Sequence, residues 1–222
     1  MYLLGIDDAG RGPILGPMFL AGVLIKANEE KIMKELGAVD SKLLTHPQRI
    51  KISKEIRKIA SGIEIAESSP QEIDKSVETI NLNTLEAKKA AEIINKLNNK
   101  KDKIRVIVDC PSVNTLAWKN KMISFIDYTE NLTILCEHKA DFNYPVVSAA
   151  SIIAKVARED SISVLKKQFG NIGSGYPADP VTIEFIKSRG LDLASSGIVR
   201  TSWATWKKLY PGSVKTNQKK LF

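Results

Sequence analysis

Histidine and cysteine are almost missing from this chain of 222 residues, which has two of each. Cys110 and Cys136 are too few for a disulfide framework, and they stand in no zinc-binding motif. They follow different expected strands, so a bridge requires those strands to be neighbours; free thiols are the expectation. His46 and His138 are isolated, the latter read as a satisfied loop histidine rather than a proton carrier. No apolar run reaches the roughly 20 residues that a membrane helix needs, and no basic segment followed by an apolar one opens the chain. A soluble, cytoplasmic, monomeric protein is expected. Repeats, low-complexity segments and clear linkers are also missing. The length suits one core with a small appendage, so residues 1–222 read as a single domain.

Acid is the scarcer charge. Lys and Arg number 33 against 25 Asp and Glu, a formal charge of +8. The last 25 residues hold six basic residues (Arg200, Lys207, Lys208, Lys215, Lys219 and Lys220) and no acid. An excess of this kind favours an acidic partner, nucleic acid being the commonest.

What is present is organised around Gly5-Ile6-Asp7-Asp8-Ala9-Gly10-Arg11-Gly12-Pro13. The apolar Tyr2–Ile6 predicts a buried strand that opens into a tight turn at the two aspartates. Met18–Ile25 predicts a second strand paired with it as a hairpin. Residues 26–36 predict a short helical connection, Thr45 caps a helix carrying Ile52, Ile56 and Ile59, and Ile63 and Ile65 mark a half-exposed third strand. Helices follow over 70–77 and 83–98, then a strand over 104–108 running into Asp109, a helix over 112–126 and a strand over 132–136. The segment 137–145 reads as a loop. A long helix rich in Ala and Ser spans 146–169, ends at Gly170, and is small enough along one face to lie very close to the sheet. Asp179-Pro180 opens another helix that stops at Gly190. Strands in a run of three, then alternating with helices, give an α/β mixed sheet with a C-terminal helical segment: a core over about 1–170, then a helical portion and basic tail over 171–222.

Four acids share one kind of address. Asp7 and Asp8 leave the first strand, Asp109 leaves a later one, and Asp141 stands before the small-residue helix. Strand ends and the loops beyond them are where open sheets build sites. Carboxylates without histidine or cysteine suit Mg²⁺ or Mn²⁺, and a pair of such ions can cleave a phosphodiester. Neighbouring strand residues point to opposite faces. Asp7 and Asp8 therefore share one site only if the backbone bends; otherwise Asp7 is central and Asp8 flanks it.

Asp7-Asp8-Ala9-Gly10-Arg11-Gly12-Pro13, Asp40-Ser41-Lys42, Val108-Asp109, Ala140-Asp141, the run Tyr144–Asp160, Gly173-Ser174-Gly175-Tyr176-Pro177 and the tail Val199-Arg200-Thr201-Ser202-Trp203 together resemble ribonuclease HII of the archaeal branch, over about residues 3–206. The resemblance implies an RNase H-like sheet flanked by helices. It also implies divalent-metal-dependent cleavage, by two ions, of RNA in RNA–DNA hybrids and on the 5′ side of single ribonucleotides in duplex DNA, leaving 5′-phosphate and 3′-hydroxyl ends. By position, Asp7, Asp8, Asp109 and Asp141 match the catalytic metal ligands. Gly10, Arg11 and Gly12 match a backbone reader of the ribose 2′-hydroxyl, Tyr176 a residue packing on the sugar, and Ser41 and Lys42 a segment near substrate phosphates. Gln218–Phe222 resembles a truncated sliding-clamp peptide, but it lacks the second aromatic and is read first as a plain basic tail. One position departs: the family usually has Glu where this chain has Asp8, which withdraws that carboxylate by roughly 1.5 Å. Trp203 and Trp206, at helical spacing, read as core.

Overall fold

The computed structural model describes residues 1–36 and 44–212; Asp40, Ser41, Lys42 and the tail with Gln218–Phe222 lie outside the described residues. Five strands form one mixed sheet in the order β3-β2-β1-β4-β5. β1 (Tyr2–Ala9) pairs antiparallel with β2 (Met18–Lys26), and β2 antiparallel with β3 (Gly62–Ser68). β4 (Ile104–Asp109) lies parallel to β1 on its other side and β5 (Leu132–Glu137) parallel to β4. β1 and β2 are covered on both faces, which is why they read as nearly unbroken apolar runs.

The alternation of β1 sorts its residues between two cores. Leu3 and Ala9 pack with α7 (Pro145–Phe169), supported by α1 (Glu30–Glu35) and α2 (His46–Ile59). Leu4 and Ile6 pack with α4 (Leu82–Leu97), flanked by α3 (Pro70–Thr79) and α5 (Thr115–Ile123). α7 lies as close to the sheet as its small residues allow: a Cβ on Gly5 would stand 2.3 Å from the Val146 carbonyl oxygen. Gly170 ends that helix with φ +84°.

The C-terminal portion comprises α8 (Pro180–Arg189), a 3₁₀ turn over Gly190–Ser196 and α9 (Ala204–Leu209). With Ile14 and Leu15 it builds a third core around the fully buried Trp206. It is bound to the N-terminal loop as well: Arg200 N–H donates to the Ile14 carbonyl at 2.9 Å and Gly16 N–H to the Ile198 carbonyl at 2.8 Å. Asp74 of α3 accepts from the N–H and hydroxyl of both Thr201 and Ser202, at 2.6–3.0 Å.

Three local expectations change. β1 does not turn after Ile6; it runs to Ala9, with Asp7 opposite Ala21 and Asp8 opposite Leu20. The segment 137–145 is not all loop, because α6 (Ala140–Asn143) forms within it. The helix expected over 112–126 is shorter, because Asn114 caps it by accepting from the Ala117 N–H at 3.0 Å. β4 and β5 are neighbours, yet Cys110 and Cys136 remain free thiols. His138 Nδ1 lies 3.0 Å from the Cys110 carbonyl, a satisfied loop histidine.

Candidate active site

The β1–β4 ladder ends at Ile6↔Val108, one residue short of the pair Asp7 and Asp109. The two strands part where two carboxylates would otherwise face each other, at the carboxyl ends of the parallel strands. This is where open sheets hold ligands. Because β1 stays extended, Asp7 and Asp8 diverge. Asp7 faces α7, where the Ser151 hydroxyl bonds its carboxylate, and it also takes the Asp8 N–H at 2.7 Å. Asp8 faces the α4 side, within the fields of Arg11, Asp109 and Lys155. Both nonetheless border one small cavity together with Asp109.

Asp109 accepts the Ala140 N–H at 3.0 Å, which fixes the start of α6 and with it the buried Asp141. Burial, and next the charge of Asp8, push Asp7 well above the ordinary carboxylate range. Burial likewise raises Asp8 to about 6, against the opposing pull of Arg11. A cavity of about 10 Å³, roughly the room of a single water or ion, is bounded by Asp7, Asp8, Asp109 and Glu86.

Among the described residues no three His, Cys, Asp or Glu side chains already converge as one ligand cage. The donors are nonetheless all oxygen, which suits hard divalent ions. Their mutual repulsion and burial are of the kind a bound cation relieves. The residues fit such an ion in chemistry.

Next to the carboxylates is the loop over Gly10–Gly12. Gly10 has φ +88°, and a Cβ there would stand 2.9 Å from the Arg158 Cδ. The carbonyls of this loop are held from behind by the C-terminal portion. Arg200, fully buried, donates to Gly10 O at 2.7 Å, Arg11 O at 3.0 Å and Gly16 O at 3.0 Å. Trp203 Nε1–H donates to Gly12 O at 3.2 Å. All peptides among the described residues are trans, so each N–H opposes the carbonyl before it. With the Gly10 and Arg11 carbonyls turned to Arg200, the N–H groups of Arg11 and Gly12 are turned away from it. A cleft of about 470 Å³ opens on the loop, walled by Arg49, Lys155, Arg158 and Tyr176 beside Asp8.

Tyr176, 41% exposed, borders the position where a Gly12 Cβ would be, with ring atoms at 3.5–3.9 Å. The Arg158 guanidinium lies 4.8 Å from its ring centroid and donates to Ser174 O at 2.8 Å. Arg49 is tied to Glu159 at 2.5 Å, and His46 bonds the same carboxylate.

A profile of the family described as Ribonuclease HII matches residues 4–206. The chain belongs to the ribonuclease HII family. It is an endoribonuclease of the ribonuclease H type. It is 40% identical to the ribonuclease HII of Methanocaldococcus jannaschii, over 97% of this chain and 98% of that one. Its fold is similar to the crystal structure of ribonuclease H2 from Pyrococcus horikoshii OT3, with TM-score 0.85, 35% identity and coverage of 94% and 97%. It also resembles the ribonuclease HII in a PCNA:RNase HII complex from Archaeoglobus fulgidus, with TM-score 0.79, 38% identity and coverage of 93% and 96%. The RNase H-like mixed sheet expected from the sequence is the fold observed.

In this ribonuclease the structure groups Asp7, Asp8 and Asp109 directly and joins Asp141 through Ala140. It sets Gly10, Arg11, Gly12 and Tyr176 along one cleft, while Ser41 and Lys42 lie outside the described residues. Sequence reasoning missed Glu86, Asn83, Arg158 and Arg200. Glu86 left a readable signal, because it falls on the buried stripe of α4 shared with Ala90, Ile94 and Leu97, where a charge is out of place. It is 1% exposed and paired with Arg11 at 2.5 Å. Burial pushes its carboxyl up, the Arg11 charge opposes this, and Asp8 adds to the rise.

Proposed function

We propose that this ribonuclease cleaves the RNA strand of RNA–DNA hybrids and incises on the 5′ side of single ribonucleotides in duplex DNA, leaving 5′-phosphate and 3′-hydroxyl ends. The observation that carries this reading is the pair of N–H groups of Arg11 and Gly12, turned away from Arg200 beside Asp8 and Tyr176. Two neighbouring donors next to a carboxylate cluster suit a ribose 2′-hydroxyl, the group that separates RNA from DNA.

Asp7, Asp8, Asp109 and Asp141 would hold divalent cations, Mg²⁺ or Mn²⁺. Bound there as a pair, such ions would activate the attacking water and stabilise the leaving oxygen. The chain itself does the positioning. Gly10–Gly12 reads the ribose, Tyr176 packs on the sugar, and Lys155, Arg158 and Arg49 supply positive charge for flanking phosphates. Ser41 and Lys42 add phosphate contacts.

Asp8 is the weak position, being one bond shorter than the usual Glu. Activity persists in this reading because Asp7, the central ligand, is unaltered. The enzyme acts as a cytoplasmic monomer, and Gln218–Phe222 docks a sliding clamp. The similar ribonuclease HII of Archaeoglobus fulgidus, solved in complex with PCNA, supports the docking. The test is a hybrid labelled on both strands. With Mg²⁺ or Mn²⁺ the RNA strand is cut to 5′-phosphate products and the DNA strand is intact, and chelation stops the reaction. Equal cutting of both strands, or cutting unaffected by chelation, would refute the reading.

A further inference from the structure

Glu86 and Asn83 sit on α4, Glu86 at the border of the small acidic cavity, and both bind the side chain of Arg11. Arg11 Nη1 donates to Glu86 Oε2 at 2.5 Å and Nη2 to Asn83 Oδ1 at 2.8 Å. Asn83 is anchored in turn, since its carbonyl accepts the Trp118 Nε1–H at 3.0 Å. The other carboxylate oxygen of Glu86 is buried with no hydrogen-bond partner among the described residues. A buried carboxylate with half its accepting capacity unused is a poor device for stability, since an apolar residue on this stripe would pack without desolvating a charge. Its evident work is on Arg11.

The loop is therefore gripped at two ends. Arg200 holds the Arg11 carbonyl from the C-terminal side, and Glu86 with Asn83 holds the guanidinium from the α4 side. A guanidinium released from α4 would be drawn to Asp8, whose charged form it already favours. That movement would turn the N–H groups of Arg11 and Gly12.

From this we infer that Glu86 and Asn83 are positioning residues for ribose discrimination: by fixing Arg11 against α4 they aim the backbone donors that distinguish RNA from DNA. The inference rests on the 2′-hydroxyl reading of Gly10–Gly12 made above. It assigns the pair a role in selectivity rather than in affinity for duplexes, because neither lines the basic cleft itself.

The test compares Asp109→Asn with Asp109→Asn/Glu86→Leu in Mg²⁺, measuring Kd for a duplex with one ribonucleotide and for its all-DNA counterpart. The expected result is a fall of about 10-fold in preference for the ribonucleotide, with the all-DNA Kd unchanged. Glu86→Gln, which keeps an acceptor for Arg11, retains more of the preference than Glu86→Leu. In the enzyme with Asp109 intact, Glu86→Leu lowers kcat more than it raises KM. An unchanged preference in a folded variant, or equal weakening of both Kd values, would overturn the inference. If Glu86→Leu fails to fold, Asn83→Ala carries the same comparison, with a smaller loss expected and the same overturning results. A parent Asp109→Asn protein with no ribonucleotide preference would instead refute the 2′-hydroxyl reading itself.

Discussion

Arg200 donates from Nη2 to the Gly10 carbonyl at 2.7 Å, across 190 positions of sequence. This bond places the C-terminal portion behind the loop that lines the cleft, so the acid-free end of the chain supports the site mechanically as well as adding charge.

Arg200→Lys follows directly. A lysine cannot reproduce the planar fork that reaches Gly10, Arg11 and Gly16 together. Loop displacement of about 1 Å costs on the order of 100-fold in rate, so kcat/KM on a ribonucleotide-containing duplex falls by about that factor. Turnover close to wild type would show that the loop does not need this support.

Asp109→Asn abolishes cleavage while leaving binding to an RNA–DNA hybrid largely intact. Asp109 adds negative charge beside Asp7 and Asp8 and so takes part in whatever the cluster holds, but it is absent from the basic wall of the cleft. Steady-state cleavage and a binding titration on the same preparation decide this. Retained turnover would remove Asp109 from the chemistry.

The carboxylates make stability depend on pH. Asp8 is raised from 3.8 to about 6 by burial first, and Asp7 is raised as well. A carboxyl raised on folding binds its proton more tightly in the native state. Its stabilising contribution is therefore full below about 3.8 and is lost as pH rises through about 6. In chelator, the melting temperature of the enzyme declines across that window, and Asp8→Asn makes the decline shallower. Divalent ions added at neutral pH raise the melting temperature of the native chain more than that of Asp8→Asn. Thermal unfolding over a pH series reads both effects, and identical profiles for the two proteins would contradict them.

Gly5→Ala tests the close approach of α7. The new Cβ would stand 2.3 Å from a backbone oxygen, which cannot swing aside as a flexible side chain would. Overpacking of this kind costs about 1–3 kcal/mol. Activity falls too, because Ser151 on the displaced helix bonds Asp7. A denaturation midpoint equal to wild type would show that the helix yields freely.

The sheet was legible because its strands carry period and composition together: Met18–Ile25 is apolar throughout, and Ile63 and Ile65 alternate. The long helix was legible from its alanines and from Gly170. The end of β1 was not, since Asp7 and Asp8 look like turn residues; only pairing with β2 keeps them extended, a long-range fact. α6 was hidden for the same reason, its start being fixed by Asp109 from another strand. Asp7, Asp8, Asp109 and Asp141 were singled out by their addresses at strand ends and in the loops beyond. Arg200 was seen as a positive charge and as part of the tail motif, but not as a support of the site, because its three acceptors are distant in sequence. Glu86 broke the pattern of its own helix and was the residue a stricter reading of periodicity would have caught.

The central claim is recognition of the ribose followed by cutting beside it, and one assay addresses it most directly. A DNA duplex carrying a single ribonucleotide is incubated with the enzyme and Mg²⁺ or Mn²⁺, next to an all-DNA duplex of the same sequence. The predicted result is a single cut on the 5′ side of the ribonucleotide and an intact control. Equal cutting of both duplexes, or none by either the native enzyme or Asp8→Glu, would contradict it.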